Sequence, residues 1–209
     1  MEQPRKPLRI AVSGYVGTGK TTFCEALAGS LDAPMIAEGM DGLLAAENAY
    51  HAAVRVPSPD RPAVAAARER LLGAFAEWAK RREALCARET SFVADRWEAD
   101  LLVWWLTLLG GSGMAVDRET MTLLRDLRAR ASRLTHVIVM PFQKPFPGQR
   151  NSDGMVRRAD FTTQALYEAT LAGVIASFAG IRAIRLPAGA VSVEQRVDQA
   201  LRALGVIRP

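Results

Sequence analysis

A three-layer α/β sandwich around a mainly parallel five-stranded sheet is the fold class this sequence predicts. Three observations predict it: five apolar runs too short for helices, helical periodicity in the stretches between them, and a glycine-rich turn joining the first run to the first helix. The 209 residues are 49% hydrophobic, enough for a packed core and too apolar for a disordered chain. This length suits a single domain over residues 1–209, with a helical insertion at about 39–90 and a lid-like loop at about 141–158.

Leu8, Ile10, Ala11 and Val12 form a β-type run that stops at Gly14, and Phe23, Leu27 and Leu31 recur at helical spacing after Gly19. Residues 34–37 read as a second strand, ending at Glu38-Gly39. Val64, Leu71, Leu72, Phe75, Trp78, Leu85 and Cys86 place one long amphipathic helix at about 62–88. Residues 91–94 are the third run, closed by Asp95-Arg96. A helix over 101–109 carries Trp104 and Trp105 as core packing, and Gly110, Gly111 and Gly113 mark a break before a helix over 117–133. Residues 136–140 are the fourth strand, and the loop that follows holds three prolines and two glycines. A helix over 160–179, a strand over 182–186 and a helix over 193–204 complete the pattern.

Twenty-seven Lys and Arg against 22 Asp and Glu give a net charge of +5, and a pI of 9.7 would suit a nucleic-acid binder. The cations are dispersed, however. Arg81-Arg82 and the arginines of 125–133 are interleaved with Glu83, Glu89 and Asp126, the look of solvated helix faces, so a nucleic-acid partner stays open but is not favoured. Cys24 and Cys86 cannot build a disulfide framework, and with His51 and His136 they show no zinc spacing. Residues 1–7 are basic, proline-interrupted and followed by no signal-type apolar run, and the most apolar stretch, 101–110, is half the roughly 20 residues a bilayer requires. A cytoplasmic protein with no membrane span is expected, and a homodimer is left open.

Chemistry concentrates in Gly14-Tyr15-Val16-Gly17-Thr18-Gly19-Lys20-Thr21, which fits the Walker A pattern G-x-x-x-x-G-K-[ST] and lies between a strand and a helix as that motif requires. With 16 glycines and only four lysines in the chain, chance yields the pattern in roughly 0.2% of such sequences. Glycines let successive N–H groups converge on phosphate oxygens, and the helix N-terminus adds partial positive charge. These residues and Thr22 are the expected nucleotide cradle, Lys20 reaching the β and γ phosphates and Thr21 holding Mg²⁺. Phe142-Gln143-Lys144-Pro145 does not match the [NT]KxD guanine reader of signalling GTPases. The third strand ends in Asp95-Arg96 where hydrolytic motors carry Asp-Glu, and an Arg there suits gripping a second anionic group better than activating water.

Gly14 to Thr21, Glu38 after the second strand, Asp95-Arg96 after the third and Arg157-Arg158 before a late helix together resemble P-loop nucleoside and nucleotide kinases. Residues 92–101 also resemble a stretch of bacterial and phage ATPases that carry the AAA name but are built like kinases. The resemblance spans most of the chain, with Walker A as its specific part. It implies Asp95 for Mg²⁺ or hydroxyl activation, Arg96 for acceptor or phosphate, Glu38 for the acceptor, and Arg157, Arg158 and Arg150 closing over the phosphates. Deoxynucleoside kinases commonly show Glu-Pro and Glu-Arg-Ser where this chain has Glu38-Gly39 and Asp95-Arg96-Trp97, which leaves the acceptor open. Glu38 reads equally as a cap for the next helix, and Arg157 and Arg158 equally as solvated loop residues. Tyr50, Phe75, Trp78, Trp97 and Trp104 are unranked candidates for reading an acceptor ring.

The expected activity is ATP- and Mg²⁺-dependent phosphoryl transfer to a small acceptor, a nucleoside or nucleotide, with Lys20, Asp95, Arg96, Glu38, Arg157 and Arg158 as catalytic residues and Thr21 and Asp95 at the metal. The alternative is a nucleotide-dependent regulatory ATPase or switch acting on a protein or nucleic acid.

Overall fold

Strand β1 (Arg9–Ser13) is apolar on both faces, so it belongs in the middle of a sheet covered on both sides. The computed structural model describes residues 6–112, 117–141, 161–189 and 192–206. In it β1 is the central strand of five, all parallel, in the order β2-β3-β1-β4-β5, with β2 (Met35–Ile36), β3 (Phe92–Asp95), β4 (His136–Val139) and β5 (Arg182–Arg185). Ala11 stands level with Ala94 on one side and Val137 on the other.

Alternate strand residues serve opposite cores. Ile10, Val12, Val93 and Ile138 pack with Phe23 and Leu27 of α1 (Lys20–Leu31) and Val197 and Leu201 of α7 (Val193–Ala203). Ala11, Phe92, Ala94 and Val137 lie in a larger core with α2 (Asp41–Val54), α3 (Arg61–Cys86), α4 (Glu98–Ser112), α5 (Arg118–Ala131) and α6 (Phe161–Ala176). Between β2 and β3 the chain forms a pair of helices, α2 and α3. Local chemistry sets several starts: Asp60 accepts from the Ala63 N–H with Pro62 in the first turn of α3, Asp117 accepts from Thr120 N–H for α5, and Ser192 and Gln195 form a reciprocal capping box on α7.

Two expectations need correction. The glycine cluster does not end the helix at 110, because α4 continues through Gly110 and Gly111 to Ser112. A glycine weakens a helix by only about 1 kcal/mol, and α4 packs along both α5 and α6, which outweighs it. Arg82 is not on a solvated face: it is buried, whereas its neighbour Arg81 is exposed. Among the described residues, no helix is long and apolar enough to cross a membrane.

β1 leads out to the edge strand β2, whereas β3 leads back across β1 to β4. Their carboxyl-terminal loops therefore depart in opposite directions and leave a crevice between them, the position where open α/β sheets bind ligands.

Leu127, on α5 away from that crevice, is fully buried. Leu127→Ala is expected to lower stability by about 2–5 kcal/mol, seen as a lower urea midpoint at unchanged slope and with nucleotide affinity retained.

Candidate active site

The glycine loop takes its shape from close approach. Gly14 has φ 151°, and a Cβ there would lie 3.0 Å from Met140 Cβ and 3.1 Å from the Met140 carbonyl oxygen. Gly17 and Gly19, at φ 83° and 81°, turn the chain back onto α1 through the left-handed region that glycine alone enters without strain. Gly19 is the N-cap of α1 and offers no side chain, so no side-chain cap competes for the helix's leading N–H groups. That is the arrangement an anion fills. Lys20 folds back under the loop, its Nζ donating to the Tyr15 carbonyl at 3.0 Å. Burial, with the neighbouring Arg96 charge, lowers its pKa to about 8. On the other side of the loop Arg196 of α7 donates through Nη1 to the Thr18 carbonyl at 3.3 Å.

Thr21, in the first turn of α1, donates its hydroxyl to Asp95 Oδ2 at 2.6 Å. Asp95 ends β3 with no exposed surface, and its Oδ1 has no hydrogen-bond partner among the described residues. Burial raises its pKa, opposed by the Thr21 bond. An orphaned carboxylate oxygen costs about 1–3 kcal/mol, and a carboxylate beside a hydroxyl is the hard oxygen pair that Mg²⁺ takes. Thr21 and Asp95 therefore fit the expected metal.

Arg96 follows in a left-handed conformation, φ 64°, rare for a residue with a side chain. Its Nε donates to Glu38 Oε1 from the end of β2. Its Nη1 donates to the Gly14 carbonyl at 3.4 Å and to the Tyr167 hydroxyl at 3.3 Å, and lies 3.5 Å from Asp100 Oδ1. Tyr167, on α6, donates to Asp100 Oδ1 at 2.6 Å and sets its ring edge-on to Tyr15 of the glycine loop, centroids 5.6 Å apart. Asp100 Oδ2 accepts from Ser13 Oγ at 2.7 Å and from the Trp97 N–H at 3.1 Å, and Trp97 Nε1 donates to Ser13 Oγ at 2.7 Å. Burial works to lower the Arg96 pKa, but the anionic surroundings supplied by Asp100 and Glu38 hold it above the usual value. Burial, with Asp100 beside it, pushes the Tyr167 hydroxyl well above the ordinary phenol range, so it stays a donor.

No family model matches this chain, and no curated protein does. Solved structures match over nearly its whole length. Deoxyadenosine kinase from M. mycoides superimposes with a TM-score of 0.65 at 15% identity, covering 96% of this chain and 100% of that one. Thymidylate kinase from Candida albicans gives 0.55 at 12% identity, covering 96% and 92%, and thymidylate kinase from Ehrlichia chaffeensis gives 0.52 at 13%, covering 97% and 99%. The fold is that of the P-loop nucleoside and nucleotide kinases.

Within this P-loop kinase fold, Lys20, Thr21, Glu38, Asp95 and Arg96 converge at one end of the sheet around residues 14–19, while Thr22 lies exposed on α1. Glu38 does not cap a helix: α2 starts at Asp41 after the N-cap Met40, and the Glu38 carboxylate turns to Arg96 instead. Arg150, Arg157 and Arg158, with the loop over 142–158, lie outside the described residues. Of the aromatic candidates, Tyr50, Phe75 and Trp97 are buried in the core. Trp78 Nε1 donates to the Glu38 carbonyl at 2.8 Å, and Trp104 Nε1 donates to Glu47 Oε1 at 2.6 Å. Ser13, Arg82, Asp100, Tyr167 and Arg196 were not singled out from sequence. Asp100 had a signal, four residues beyond Arg96 at a helix start, whereas Tyr167 is brought in from a distant helix.

Gly14→Ala drives a methyl into Met140 and is expected to weaken ATP binding at least tenfold in an equilibrium titration, in a protein that still folds. Tyr167→Phe removes the hydroxyl shared by Asp100 and Arg96, and urea unfolding should show a loss of about 1–3 kcal/mol.

Proposed function

We propose that this protein is a Mg²⁺-dependent phosphotransferase that moves the γ-phosphoryl group of ATP to a small acceptor, a nucleoside or nucleotide. The observation that carries this reading is the Glu38–Arg96 pair set directly beside the phosphate loop, with Arg96 bonded to the Gly14 carbonyl. A carboxylate paired with an arginine one residue from the metal-side Asp95 suits holding a second substrate, and a water-activating Glu is absent from the end of β3.

In this reading the backbone of residues 14–19 and the leading turn of α1 hold the donor phosphates, and Lys20 exchanges the Tyr15 carbonyl for a phosphate oxygen. Thr21 and Asp95 would hold Mg²⁺, which when bound offsets phosphate charge. Glu38, about a third exposed, orients the acceptor oxygen and receives its proton when that oxygen is a hydroxyl. The acceptor oxygen bonds to the γ-phosphorus as the bond to the β–γ bridging oxygen breaks, leaving ADP. Arg96 keeps Glu38 in place and balances charge from the acceptor side. Arg150, Arg157 and Arg158 are proposed to close over the phosphates and exclude water. Charge distribution does not favour the regulatory-ATPase alternative: among the described residues, Arg130 and Arg133 pair with Glu83, Arg68 with Asp117 and Arg202 with Asp198.

With labelled ATP and Mg²⁺ against a panel of nucleosides and nucleoside monophosphates, label should appear in one acceptor and depend on it. Lys20→Ala should reduce that transfer at least 100-fold. Phosphate release indifferent to any acceptor would overturn the reading.

A further inference from the structure

The sheet opens at the place where the acceptor-side residues leave it. β2 pairs with β3 only at Met35↔Val93 and Ile36↔Ala94, and past that point the carbonyls of Ala37, Asp95 and Arg96 lie beyond the ladder. Asp95 and Arg96 are buried, and buried carbonyls must find donors, whereas Ala37 lies at the exposed edge. One side chain supplies them: Arg82 of α3 donates through Nη1 to the Ala37 carbonyl at 2.8 Å, and through Nη2 to the Asp95 carbonyl at 2.6 Å and to the Arg96 carbonyl. It is 4% exposed, and its guanidinium lies 4.8 Å over the ring of Trp78, whose Nε1 holds the Glu38 carbonyl.

The geometry points to Arg82, with Trp78 beneath it, as the positioning residue of the acceptor side: it clasps the backbone from which Glu38, Asp95 and Arg96 project. This rests on the phosphotransferase reading of the site. Burying a cation is costly unless its donors are matched, and a planar fork can match carbonyls of two separated chain segments where an ammonium cannot. The Arg96 backbone is in the left-handed region, a conformation retained only where its surroundings impose it. Arg82 grips the carbonyl of that residue while Glu38 and Asp100 engage its guanidinium, so both ends of Arg96 are held. The glycine loop follows β1, receives no bond from Arg82 and is shaped by its own glycines against Met140; it meets the clasped segment through the 3.4 Å bond from Arg96 to the Gly14 carbonyl, one step removed from Arg82.

The test compares Arg82→Lys, Arg82→Met and Trp78→Phe with the wild type. ATP affinity is titrated in EDTA, and label transfer is followed with whichever nucleoside or nucleoside monophosphate the wild type uses best. Arg82→Met should lower kcat at least tenfold and raise the acceptor KM, with ATP affinity within twofold of wild type. Arg82→Lys keeps the charge and loses the fork, so it should lie between, and Trp78→Phe, which frees the Glu38 carbonyl, should raise the acceptor KM and lower kcat by less than Arg82→Met does. If Arg82→Met does not fold, the other two variants decide. Acceptor KM and kcat within twofold of wild type in both, or ATP affinity falling in step with kcat, would overturn the assignment. A wild type with no acceptor-dependent transfer would sink the phosphotransferase reading instead. Amide hydrogen exchange then decides Arg82 by itself: faster exchange in Arg82→Lys at residues 37–40 and 95–97 but not at 14–22 supports the clasp, and uniform acceleration overturns it.

Discussion

The guanidinium of Arg96 is the joint on which the crevice depends. It reaches Glu38 at the end of β2, the Gly14 carbonyl at the end of β1, Asp100 at the start of α4 and Tyr167 on α6. A buried cation without counter-charges would be expelled or neutralised, so these elements must meet at it if it is to remain there charged. Because Asp100 also binds Ser13 and Trp97, the network runs from the last residue of the central strand to the helix after the adjacent one. The ends of β1, β2 and β3 are thereby held in one frame by side chains and not by the sheet ladder alone.

Most of the architecture was legible because it follows from periodicity and from one motif. Five apolar runs became five parallel strands, and the stretches between them became helices with boundaries displaced by a few residues. The glycine loop was legible because its residues are contiguous and its three glycines, Gly14, Gly17 and Gly19, each have a backbone reason for being glycine. Thr21 and Asp95, 74 positions apart, meet because α1 starts from the loop that follows β1 while Asp95 ends β3, the strand paired with β1. What stayed hidden depends on which face of a helix turns inward. Arg82 and Arg81 are indistinguishable in a charged stretch, yet one is buried against three carbonyls and the other meets solvent. Tyr167 is one aromatic on an apolar helix face, and nothing in its spacing tells a hydroxyl that completes a network from one that reaches water.

Among the described residues arginine has two contrasting uses. Arg130 of α5 and Arg133 just beyond it form half-exposed pairs with Glu83 of α3, worth little individually. At the mouth of the sheet Arg82, Arg96 and Arg196 are buried and donate to backbone carbonyls of strand ends and the glycine loop. There they act as structural cross-links through their reach as well as their charge. A basic composition can therefore come from interior scaffolding as well as from an anionic partner.

The central place of β1 has a consequence for biosynthesis. Of the five strands of the sheet β1 comes earliest in sequence, yet it is flanked by β3, over 80 residues later, and by β4, over 120 residues later, and Gly14 is shaped against Met140. The glycine loop is synthesised more than 100 residues before Met140, the residue against which it is shaped. Until then the segment has sequence but no mould, and such long-range pairing is slow to form. A chain terminated before β4 thus carries the whole glycine-loop motif without the strand against which Gly14 is shaped.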